Sequence, residues 1–142
     1  MNLIGSLVGH SDNNGAEDKG HLHVTYANNY FSNVSSRLPS IRFGTGHIFN
    51  NDFENVLSSA IDTRDGAQTL VESNVFVKAK QPLASLYSDD KGYAVAKDND
   101  FGGEQNTAPA GTLTKVPYSY TALGSSKVKA AVVGTAGNTL KF

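Results

Sequence analysis

Asn29-Tyr30-Phe31, Asn51-Asp52-Phe53, Asn74-Val75-Phe76 and Asn99-Asp100-Phe101 repeat one phrase at intervals of 22, 23 and 25 residues. A near-constant period of that size marks a solenoid of stacked units. Three positions before each asparagine stands Tyr26, Ile48, Val71 or Ala96, each within a β-favouring stretch, so every unit reads as strand, turn, strand. That pattern predicts an all-β fold, a right-handed single-stranded parallel β-helix. Stacking then places the asparagines in a ladder, where each side-chain amide bonds its counterpart on the next coil, and the phenylalanines in an interior stack.

The remaining segments sort around this repeat. Residues 11–20 are a polar, turn-rich loop ahead of the first clear coil, and residues 35–46 read as the connection to the second. The coils occupy about residues 20–101. Periodicity ends at Gly102, and residues 102–117 read as a long loop laid over the flank of the solenoid. Ser125 and Ser126 are expected to cap a short helix from Lys127 to Val133, stopped by Gly134, that covers one end of the stack. Residues 1–142 thus form one domain, a partial solenoid with a flanking loop and C-terminal capping helix over 102–142.

Composition narrows the function. With 142 residues, 39% of them hydrophobic, the chain suits one sizeable core, and 14 glycines fit sharp turns. A net charge of −1 predicts no nucleic-acid partner and no anionic membrane surface. The absence of cysteine rules out disulfides, thiol nucleophiles and thiolate metal ligands. The opening residues Met1 to Gly9 carry no basic stretch, and Gly5 breaks their apolar run, so neither a signal peptide nor a membrane span is expected there. Asn33-Val34-Ser35 matches a glycosylation sequon.

Chemistry concentrates in Arg37-Leu-Pro-Ser-Ile-Arg42. Pro39 stiffens this loop, holding two guanidiniums near each other, an arrangement suited to an anionic ligand. Coil stacking brings Arg64, in the corresponding loop of the next coil, to the same flank. The same spacing also fits arginines paired with neighbouring aspartates and glutamates. The four histidines, His10, His21, His23 and His47, straddle separate coils and match no zinc motif. Asp12, Glu17, Asp18, Asp89 and Asp90 offer oxygen atoms but no EF-hand pattern, and Tyr118 and Tyr120 read as packing residues.

Three stretches carry a resemblance: Gly9-His-Ser-Asp-Asn-Asn-Gly-Ala-Glu-Asp-Lys-Gly-His-Leu-His-Val-Thr-Tyr26, Arg37-Leu-Pro-Ser-Ile-Arg42-Phe-Gly, and Leu70-Val-Glu-Ser-Asn-Val-Phe76. The chain resembles the pectate lyases, closest to the fungal branch, from about Ser6 to Phe142. The resemblance implies secretion and calcium-assisted cleavage of polygalacturonate by β-elimination. It implies Arg37 as the base that takes the C5 proton, and Arg42 and Arg64 as substrate-binding groups holding uronate carboxylates. It also implies a monomer.

Two departures accompany it. The family's calcium-binding carboxylates lie on coils upstream of the matching region, so the resemblance puts no metal ligand in this chain. A cleft lysine that the family carries in a Trp-Lys pair is replaced by Leu3-Ile4. The expectation is therefore the C-terminal portion of a pectate lyase without its calcium site, from a misplaced start or a rearranged gene. The alternative is an inactive β-helix remnant that at most binds acidic polysaccharide. Either way, an exposed coil edge predicts poor solubility for the isolated chain.

Overall fold

A computed structural model describes residues 3–141 and shows the expected parallel β-helix. One sheet orders β1 (Leu7–Val8), β4 (Ser40–Arg42), β6 (Asp52–Arg64) and β3 (Tyr30–Ser32), with β8 (Val75–Ala84) also paired to β6. The other orders β2 (His23–Ala27), β5 (Thr45–Phe49), β7 (Gln68–Glu72) and β9 (Tyr93–Lys97). Every pairing between these strands is parallel, and Tyr26, Ile48, Val71 and Ala96 fall in one register.

The asparagine phrase makes the turn between the sheets. The residue before each ladder asparagine, namely Asn28, Asn50, Ser73 or Asp98, has φ between 46° and 59°. This left-handed conformation suits asparagine and aspartate, which explains three of the four choices. Asn51 donates from its backbone N and its Nδ2 to Asn74 Oδ1 at 3.0 and 3.1 Å. Asn29 and Asn74 repeat the bonds to Asn51 and Asn99. A further bond runs from Asn51 Nδ2 to Tyr26 O, from Asn74 Nδ2 to Ile48 O and from Asn99 Nδ2 to Val71 O, each 2.9 Å. The residue three places before one asparagine thus serves the amide of the next coil.

Phe31, Phe53 and Phe76 stack with ring centroids 5.0 and 4.7 Å apart, and Phe101 closes the column at 5.4 Å. Ile41, Ile48, Val56, Ile61, Val71 and Leu83 fill the interior around them. Dispersion among close-packed side chains and removal of apolar area from water stabilise this column.

Two boundaries differ from the sequence expectation. The segment read as a connection contains β4, whose residues pair with Asp62, Thr63 and Arg64 of β6. Its apolar content is a single fully buried isoleucine, too little to register as a strand by pattern. The C-terminal helix, α2, spans Ser125–Val132, following the short α1 (Gly15–Asp18). Gly124, not a serine, occupies its N-cap, and no side chain caps it. Asp98 instead engages both the backbone N and the hydroxyl of Ser125. Residues 102–124 form a long segment without regular strands, bridged through Asn106 and Ala110 to Leu83 and Ala94.

Candidate active site

Parallel register between β4 and β6 sets Arg42 directly beside Arg64. Both guanidiniums are nearly buried, so their charge needs partners. Asp12, delivered by the turn ahead of α1, accepts from Arg42 Nε at 2.5 Å and from Arg64 Nη2 at 3.2 Å. Arg42 also donates to Gly9 O at 2.7 Å, and Arg64 to the Ser88 hydroxyl at 2.6 Å and Tyr87 O at 3.0 Å. Asp65 adds a second carboxylate 3.5 Å from Arg42 Nε and accepts from Ser88. Gly92 permits the close packing, because a Cβ there would lie 2.4 Å from Arg64 N.

The electrostatics follow from this geometry. The Arg42 hydrogen bond, aided by Ser88, Asp65 and Arg64, holds the Asp12 carboxyl down to about 2. Burial and the facing Asp12 push Asp65 up. Burial, with Arg42 beside it, pulls the Arg64 guanidinium below the usual arginine range. Two arginines and two aspartates therefore balance, with Arg42 Nη2 and Arg64 Nη1 making no hydrogen bond among the described residues. An open depression lined by Lys19, Phe43, Asp65, Lys91 and Tyr93 adjoins the cluster.

Arg37 lies apart from this pair. Its backbone φ is 63°, a conformation with a steric cost for a residue bearing Cβ. The guanidinium lies 4.2 Å from the Tyr87 ring centre and donates to Ser36 Oγ at 3.1 Å. Tyr87 is the bridge between the arginines, since Arg64 approaches the same ring at 5.9 Å. Tyr87 is held by its hydroxyl, 2.6 Å from Ser59 Oγ, and by Asp62, which accepts from Leu86 N at 2.8 Å. Asp62 is buried and its carboxyl is pushed up by desolvation.

The other candidates separate. His47 is buried between Glu72 (2.9 Å) and the Tyr118 hydroxyl (2.8 Å), stacked on Phe49. Tyr120 donates to Glu72, which pushes the phenol up to about 12. Tyr118 and Tyr120 thus fasten the flanking loop, as packing residues with polar ends. His23 bonds Thr45 on the next coil. Among the described residues no three histidine or acidic side chains converge on a point that could hold a metal. Asp12 and Asp65 are already taken up by arginine and serine, so these residues do not fit calcium.

Residues 3–140 match the family model described as pectate lyase. The chain belongs to the pectate lyase family. Its curated relatives include the probable pectate lyase A of Aspergillus fumigatus, 72% identical over 137 residues, which are 96% of this chain and 41% of that protein. The pectate lyase A of Aspergillus niger is 66% identical over the same shares of both chains. Pectate lyase B of Colletotrichum gloeosporioides is 62% identical over 97% of this chain and 42% of that one. The chain thus spans about two-fifths of the length of these relatives. A Bacillus pectate lyase solved in complex with trigalacturonate matches with a TM-score of 0.80 and 33% identity, covering 92% of this chain and 44% of that one. Pectate lyase II from Xanthomonas campestris gives a TM-score of 0.72 and 34% identity over 94% and 46%.

Sequence reasoning missed Tyr87, Ser88 and Asp62, and weighed Asp12 only as an oxygen donor without an EF-hand pattern, not as a partner of the arginines. The coil period contained a signal for Asp62, which lies 22 residues after Ser40, its register partner. The same period carried a signal for Tyr87 and Ser88, which lie 23 residues after Arg64 and Asp65 although they fall beyond the end of β8.

Proposed function

We propose that this chain carries the arginine side of a secreted polygalacturonate lyase. Family membership and the Arg37 setting support this reading together. A β-elimination removes the C5 proton to the base, forms the C4–C5 double bond and breaks the C4–O bond, whose oxygen takes a proton from water. Arg37 is the base at C5. A guanidinium cannot accept a second proton, so the base is the neutral guanidine, which has first released a proton to water, and the step also needs a C5 proton made acidic by charge at the neighbouring carboxylate. Arg42 and Arg64, whose charge Asp12 and Asp65 balance, contribute hydrogen bonds from their remaining N–H groups that hold the uronate carboxylate in register with the base.

The observation that carries the assignment is the placement of Arg37: strained at φ 63° and stacked on a tyrosine. Such strain persists where surrounding structure enforces it, which is common in active sites. The experiment is ultraviolet absorbance of the unsaturated uronate product, with the full chain on polygalacturonate, with and without added calcium. Product formation that Arg37→Ala abolishes is the expected result. A folded chain that binds trigalacturonate in a calorimetric titration without forming product would overturn the lyase reading for this polypeptide.

A further inference from the structure

Asp52 opens β6 and is fully buried, yet neither carboxylate oxygen has a hydrogen-bond partner among the described residues. It sits in register between Tyr30 and Val75, on the face that α2 covers. Val128 and Val132 of α2 are buried against Val75, with Val77 packed beside them. The titratable and charged groups that face Asp52 are Glu54 on its own strand, Lys129 on α2 and the Tyr30 hydroxyl. They are unequally shared. Lys129 Nζ makes an ion pair with Glu54 Oε1 at 2.9 Å, outside hydrogen-bond geometry, and Tyr30 donates to Glu54 Oε2 at 2.9 Å, so Glu54 draws both groups and Asp52 is left without a donor or an ion pair among the described residues.

A buried carboxylate without donors is costly, whereas its protonated form is tolerated. We infer that Asp52 makes the docking of α2 pH-dependent: the helix is held while this carboxyl is protonated and loosened when it ionises. Ionisation under the helix can be relieved only by letting water in or by drawing Lys129 away from Glu54, and both disturb the contact with α2. Burial first, then Glu54, pushes Asp52 up to about 6, against a partial offset by Lys129. Because the docked value lies above the ordinary one, the contribution is present in full at acid pH and is lost as pH rises through about 6. Glu54, pulled down by Lys129, stays ionised across that window.

Hydrogen exchange of the α2 amides, measured against those of β6 and corrected for intrinsic rates, tests this in the full chain. Protection of α2 relative to β6 should fall about tenfold or more between about pH 4.5 and about pH 7.5, and Asp52→Asn should flatten the profile. Carboxyl carbon resonances of the wild-type chain give a second measurement that needs no variant. An Asp52 midpoint near 6, moving higher in Lys129→Gln, supports the latch. An Asp52 midpoint in the ordinary aspartate range, or a pH-dependence of α2 protection that persists in Asp52→Asn, would overturn it.

Discussion

The Arg37 guanidinium rests on the Tyr87 ring at 4.2 Å, while the hydroxyl of that ring is tied to Ser59 at 2.6 Å. The two contacts can be separated by mutation. Tyr87→Phe keeps the platform and loses the short hydroxyl bond to Ser59 with the longer one to Ser58, at a cost of about 1 kcal/mol in urea unfolding. Tyr87→Ala removes the platform and, on the role proposed for Arg37, should lower product formation from polygalacturonate about tenfold, because the guanidinium is no longer held in place. Equal activities of the two variants would remove Tyr87 from the positioning of Arg37.

Asp12 bonds both Arg42 and Arg64 from a partly exposed position, so its ion pairs are screened by water. Asp12→Asn should cost about 1–2 kcal/mol near neutral pH. The sign with pH is fixed by the depressed carboxyl. Its contribution is present above about 4 and is lost as pH falls towards 2. Thermal unfolding between those values should show a slope in the wild type that is reduced in Asp12→Asn.

Asn74 sits mid-ladder, fully buried, accepting from Asn51 and donating to Ile48, Glu72 and Asn99. Asn74→Ala strands several of these groups at once and should cost about 3 kcal/mol. Asn29 bonds only one neighbouring rung and is part-buried, so Asn29→Ala should cost about 1 kcal/mol. Chemical denaturation of both variants checks the ranking.

His47 ties Glu72 on the next coil to Tyr118 in the flanking loop. His47→Phe preserves the stack on Phe49 and removes both bonds. Trypsin cleavage after Lys115 should then accelerate about tenfold with the β-helix intact. An unchanged cleavage rate would mean that the loop is held by packing alone.

Much of the fold is legible because the repeat constrains it twice. The same asparagines satisfy backbone donors and supply the left-handed turn neighbours, so one phrase marks both the turn and the stacking direction. β4 and the helix boundary were less legible for local reasons. Ser40-Ile41-Arg42 carries one apolar residue, and Asp98 draws Ser125 into a contact that sequence pattern does not register. At the candidate site, the motif arginines stood out by type and spacing. Their shared partner Asp12 did not, because it lies 30 residues from Arg42 and 52 from Arg64 along the chain, off the coil period.

The sequence by itself determined the period, and with it the parallel β-helix, the asparagine ladder and the phenylalanine column, while the stretch around Arg37-Leu-Pro-Ser-Ile-Arg42 carried the resemblance to the family. A repeated one-dimensional pattern has few ways to bury its apolar face, so it settles the stacking. Tertiary structure alone decided which arginines enter a buried ion pair and which does not. Arg42 and Arg64 are drawn into a buried pair by Asp12, whereas Arg37 is left on the Tyr87 ring. That division depends on where two irregular loops fold back onto the coils, and no periodicity encodes the return path of a loop.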